Sequence, residues 1–98
     1  MLFGWFDARE AKDFGAALAR FYMERIPPVA GTEKRPRTGR REEVLAQMSR
    51  QISQFRHGHK MNLYKKAQFG NAFRWTLVDA GYDPGEAAET TRFLLFRF

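Results

Sequence analysis

The 98-residue chain has no cysteine, which excludes disulfides, thiol nucleophiles and the Cys-based zinc sites. It has no stretch approaching the roughly 18 apolar residues that a membrane-crossing helix needs. Its opening residues, Met1-Leu2-Phe3-Gly4-Trp5-Phe6-Asp7, include no basic segment, and their apolar run is too short for a secretory signal. A cytoplasmic protein is expected. No run alternates apolar and polar residues with period two, so strands are not expected, and no segment repeats another. Hydroxyl residues are few, and none sits in the sharp turn of a nucleophile elbow. No glycine-rich loop follows a strand, so no phosphate cradle is visible. The acids Asp7, Glu10, Asp13, Glu24, Glu42, Glu43, Asp79, Asp83, Glu86 and Glu89 mostly read as helix caps or as mixed-charge faces, as in Arg9/Asp13 and Arg20/Glu24 four residues apart. These absences predict a non-enzymatic protein with no cofactor.

What the chain does contain is apolar and aromatic bulk. Hydrophobic residues make up 44% of it and aromatic residues 15%, ten of them Phe. That is enough to offset the entropy of ordering the chain, unlike a low-hydrophobicity disordered sequence. Its length fits one domain spanning 1–98, and a domain of this size buries somewhat over about 60% of the surface that its unfolded chain exposes.

Helical spacing recurs along most of the chain. Asp7 and Glu10 fit a capping box, and Ala11, Phe14, Leu18, Phe21, Tyr22 and Ile26 follow at helical intervals. A first helix is expected at about 8–25, ended by Pro27-Pro28 because proline lacks the amide proton and restricts the residue before it. Residues 27–39 lack periodicity and hold three of the four prolines, so they read as a long exposed loop. Val44, Leu45, Met48, Ile52, Phe55 and His59 then form one stripe of a helix at about 40–57. Gly58 is a plausible break. A third helix is expected at about 62–81, with Leu63, Ala67, Gly70, Phe73, Leu77 and Ala80 on one face and Tyr64, Trp75, Val78 and Tyr82 on another. Apolar positions on two sides imply a central helix, or one that also meets a partner. Gly81 suits its stop. Asp83-Pro84-Gly85-Glu86 combines an acid N-cap, proline at the first helical position and Glu at the third, opening a fourth helix at about 84–97. The expected fold is all-α, a small bundle of about four helices.

Charge is unevenly spread. Residues 31–66 carry ten Lys/Arg against three acids, whereas 1–30 are balanced four against four and 67–98 hold three bases and four acids. The formal net charge of +6 is owed to the middle third. Lys34, Arg35, Arg37, Arg40 and Arg41 fall within eight residues, and such tracts commonly meet phosphate backbones through counterion release and Arg–phosphate hydrogen bonds. The alternative is a solvated loop that keeps the protein in solution. Arg50, Arg56, Lys60, Lys65 and Lys66 would extend the patch onto folded structure. These ten residues are the candidate nucleic-acid-binding set, the first five as a mobile arm and the rest as a fixed patch.

A sharper reading treats 44–80 as a helix-turn-helix. Asn62, Lys65, Lys66, Gln68 and Asn71 at the start of its second helix would then read base edges. His57 and His59 invite a metal, but residues two apart on a helix diverge by about 200°, and no Cys or nearby acid completes a ligand set; no metal site is predicted. Both chain ends are apolar. Phe3, Trp5, Phe6, Phe93, Phe96 and Phe98 would dock in the protein's own core, or form a homodimer or partner interface, where aromatic residues are enriched. Membrane association is disfavoured, because the first helix carries as many acids as bases. The expected function is polyanion binding, nucleic acid first; the runner-up is a homo-oligomeric protein-interaction module.

Overall fold

In the computed structural model, residues 8–28, 38–58 and 61–98 are described, and all regular structure among them is helical. Four helices follow in order: α1 (Arg9–Arg25), α2 (Thr38–Gly58), α3 (Leu63–Asp79) and α4 (Pro84–Leu95). The all-α expectation holds, with every boundary within two residues of the expected one. α2 begins at Thr38, two residues before position 40, and takes Gly39 into its first turn. α1 is preceded by Ala8, which makes no side-chain cap; Asp7 lies outside the described residues.

Local chemistry explains the other ends. The Asn62 side chain accepts from the Lys65 amide and opens α3. At its other end, Tyr82 N donates to Leu77 O and Gly81 N to Val78 O, with Gly81 at φ 98°. This double closure needs a left-handed residue, and glycine supplies it without steric cost. Asp83 then accepts from the Glu86 amide, with Pro84 at the first position of α4.

Close approaches fix the helix directions. Phe14 meets Phe69, and Tyr22 meets Phe73 and Tyr82, so α1 and α3 run the same way. Phe14 stacks on Phe55, and Tyr22 meets Arg41, so α2 runs against α1. Arg41 reaches Thr90 and Arg97 reaches Ser49, so α4 runs alongside α2.

The most extensive helix pair is α1 with α3. Small residues allow it: Ala11, Gly15 and Ala19 are all buried on one stripe of α1, continued by the buried Ala8 just before it. A Cβ on Gly15 would lie 2.6 Å from the Phe69 carbonyl oxygen, so the two backbones meet there directly.

The core comprises Leu18, Tyr22, Ile26, Val44, Leu45, Met48, Ile52, Phe69, Phe73, Leu77, Tyr82 and Leu94, with alanines between. This corrects the expected face of α3. Leu63 is 83% exposed, Ala67 and Ala80 are exposed, and Phe69 is buried in their place. Tyr82 leaves the second face altogether, because the Gly81 turn swings it into the core, where its hydroxyl donates to the Ile26 carbonyl.

Candidate nucleic-acid interface

The helix directions gather different termini at the two ends of the bundle. At one end, called here the Tyr82 end, α1 and α3 finish and α2 and α4 begin. At the other, the Phe98 end, the opposite termini meet.

The Phe98 end is closed by rings. Phe55 of α2 stacks on Phe14 of α1 with centroids 4.3 Å apart and planes 1° from parallel. Phe14 lies 5.6 Å from Phe69 of α3, and Phe69 meets Phe98 edge-on at 4.8 Å. Four phenyl rings thus link all four helical segments, and apolar closure of this kind uses no hydrogen-bonding side chain.

Cations lie outside those rings. The Arg97 guanidinium sits 4.0 Å from the Phe93 ring centroid, and its Nε donates to Ser49 Oγ at 3.3 Å. Arg56 Nη1 donates to the Arg97 carbonyl at 3.1 Å. Arg56 of α2 and Arg97, just past the end of α4, are therefore neighbours. Lys65 and Lys66 stand half-buried in the first turn of α3, a turn before Phe69, and that turn contains no acid. A helix N-terminus already favours an anion; adding two lysines strengthens that preference.

With the helices split at their midpoints, the described residues of this half carry Arg9, Lys12, Arg50, Arg56, Lys65, Lys66, Arg92 and Arg97 against only Glu10 and Asp13. The other half carries five bases (Arg20, Arg25, Arg40, Arg41, Arg74) against seven acids (Glu24, Glu42, Glu43, Asp79, Asp83, Glu86, Glu89). The bundle is basic at the Phe98 end and slightly acidic at the Tyr82 end.

The Tyr82 end is closed by hydrogen bonds. The Tyr22 hydroxyl donates to Glu86 Oε2 at 2.7 Å and accepts from Arg41 Nε at 3.3 Å, while Arg41 Nη2 donates to Thr90 Oγ1 at 2.8 Å. Burial, and next the hydrogen bond to Glu86, raises the Tyr22 pKa above its ordinary value. Arg40 Nε donates to the Arg25 carbonyl at the end of α1. Arg25 in turn covers the Phe21 ring at 3.7 Å and bonds the Phe21 carbonyl and Glu24.

The predicted binding set therefore divides. Arg40 and Arg41, expected in a mobile arm, are tied into the bundle instead, Arg41 by groups 19 and 49 residues away. Arg56, Lys65 and Lys66 lie at the same Phe98 end, where Arg56 meets Arg97, a residue the sequence reading did not include. Arg50 is exposed midway along α2, with Ala46 one turn and Glu43 two turns before it on the same outer face. Lys34, Arg35, Arg37 and Lys60 lie outside the described residues, as do Phe3, Trp5, Phe6 and His59. Phe93 and Phe98, candidates for a partner interface, pack against the protein's own core, and Phe96 is 76% exposed. The helix-turn-helix reading loses one base-reading group, because Asn62 Oδ1 is engaged as the α3 cap at 2.8 Å. Among the described residues no group of three or more His, Asp or Glu is placed to hold a metal ion, and no helix is long and apolar enough to cross a membrane.

Fold and charge together define the class: an all-α four-helix bundle with one basic end. No family model matches the chain, and no curated protein or solved structure matches it.

Proposed function

We propose that the protein is a non-enzymatic nucleic-acid binder that holds phosphates with the cations of its Phe98 end. The observation supporting this most directly is the segregation of charge along the bundle, with Arg56 and Arg97 adjacent and Lys65 and Lys66 at an acid-free helix start. Arg and Lys so placed pair with phosphate oxygens and release counterions from the polyanion. Contacts of this type set register and affinity and carry little base sequence information. The tract Lys34, Arg35, Arg37 would add charge from outside the described residues.

Fluorescence anisotropy with labelled DNA at 50 and 200 mM salt tests this reading. Four phosphate contacts predict that affinity falls about 50-fold for a single strand and about 150-fold for a duplex between the two salts. The triple variant Arg56→Gln, Lys65→Gln, Lys66→Gln should bind more weakly and with a shallower salt slope. No binding at 50 mM salt, or binding indifferent to salt, overturns the proposal.

One observation favours the second reading, a self-associating or partner-docking module. Leu63 and Phe96 expose large apolar surface at 83% and 76%, both at the Phe98 end. That reading predicts a concentration-dependent mass that survives high salt and falls on Phe96→Ser substitution.

A further inference from the structure

α3 is the helix whose face away from the core is neither charged nor bland. Its outer stripe runs Tyr64, the half-buried Gln68, Asn71 and Trp75, at spacings of four, three and four, and begins beside the basic Phe98 end. Trp75 is 51% exposed and Tyr64 41%. The Arg74 guanidinium lies 5.0 Å from the Trp75 ring centroid. Beside Trp75 a shallow groove of about 290 Å³ opens between α1 and α3, with Gln68, Asn71 and Asp79 on the α3 side and Lys12 on the α1 side.

We infer that this face binds single-stranded nucleic acid, with bases stacked on Trp75 and Tyr64 and one base edge read in the groove by Asn71 and Gln68. The inference rests on the nucleic-acid reading above and narrows it to unpaired strands. A duplex keeps its base faces covered, so exposed rings can be used only by a strand whose bases are splayed out. Amide side chains supply both donors and acceptors, which base edges require and phosphates do not. Asp79 fits the same assignment: a carboxylate repels phosphate but accepts from exocyclic amino groups. Charge complementarity comes from Lys12 and Arg74 beside the rings and from Lys65, next to Tyr64. Eleven residues of helix separate the two rings by about 16 Å, a span of a few nucleotides in an extended strand.

The test compares a 12-nucleotide single strand with a duplex of the same sequence, binding the full chain and its Trp75→Leu and Tyr64→Leu variants. Leucine retains apolar contact with the helix surface while removing the aromatic platform, and circular dichroism confirms that each variant is folded. Stacking predicts that either substitution weakens single-strand binding about 5- to 150-fold while duplex binding and its salt slope stay unchanged. A second readout uses a Trp5→Phe background, in which Trp75 is the sole tryptophan; its fluorescence should be quenched on adding the single strand. Salt-sensitive binding that is equal for both nucleic acids, unaffected by Trp75→Leu and silent in fluorescence, overturns this inference and leaves the polyanion reading standing. Failure of every form to bind at 50 mM salt overturns both. Self-association lost in Trp75→Leu, with no quenching by nucleic acid, assigns the face to a second copy of the chain and likewise overturns the inference.

Discussion

The two ends of this bundle solve the same closure problem with opposite materials. At the Phe98 end four phenyl rings, one from each helical segment, pack in a chain from Phe55 through Phe14 and Phe69 to Phe98. At the Tyr82 end a tyrosine, an arginine, a glutamate and a threonine hydrogen-bond across three helices. Cations lie at both ends, and the closure decides what they do. Where hydrogen bonds seal the bundle, Arg40 and Arg41 are engaged by internal acceptors. Where rings seal it, Arg56 and Arg97 make hydrogen bonds at the exposed surface, whereas Arg41 at the other end reaches the buried Tyr22 and Thr90. A basic tract in a sequence is thus not one object: one of its cations can be built into the hydrogen-bonded closure of one end while others lie on the surface of the opposite end.

The sharpest way to break the comparison is to remove the ring closure. Phe69→Ala takes away the ring that Phe14 and Phe98 share, at a completely buried site, and should cost about 3–5 kcal/mol in chemical denaturation. A cost under about 1 kcal/mol would mean that the rings do not hold that end together.

At the Tyr82 end the expected loss is smaller and depends on pH. Arg41→Ala or Tyr22→Phe strips partners from groups at least half-buried and should cost about 1–3 kcal/mol. Tyr22 has a raised pKa, so the folded state keeps its proton more tightly than the unfolded chain does. That contribution is complete below about pH 10, the ordinary tyrosine value, and is lost as pH rises through the folded value. Denaturation curves from pH 8 to 11 should therefore show an alkaline decline that is shallower in Tyr22→Phe. Parallel declines in the two proteins would contradict the buried hydroxyl.

The smallest effect on stability belongs to the cations of the Phe98 end. Arg56→Gln, Lys65→Gln and Lys66→Gln should each change stability by no more than about 0.5 kcal/mol, although together they weaken nucleic-acid binding. A loss from any of them matching that of Arg41→Ala would erase the distinction between the ends.

The parts of the fold written in local chemistry were legible before the structure. Asp83, Pro84 and Glu86 announce a helix start, Gly81 a stop, and Pro27-Pro28 an end, because each acts on backbone groups within a few residues. The face of α3 was not legible. With apolar residues on two sides, its periodicity fits more than one orientation, and only packing against Gly15 of α1 selects Phe69 over Leu63 as the buried residue. The candidate site was legible by half. Arg56, Lys65 and Lys66 carry the right charge, but Arg97 stands alone in sequence and joins them only because α4 runs alongside α2. Nor does anything near Arg41 distinguish it from Arg40 or Arg37: its partners Tyr22 and Thr90 belong to other helices.

The amino-acid sequence by itself determined that this chain is helical, where its helices begin and end, and that its positive charge lies in the middle third. Those properties follow from propensities, caps and composition, which operate over a few residues. Tertiary structure alone decided which cations are spent on the bundle and which surround its Phe98 end, and that Trp75 faces outward beside a groove. Such choices depend on groups far apart in the chain meeting at one place, and hydrogen bonding, ring packing and burial act only once they have met.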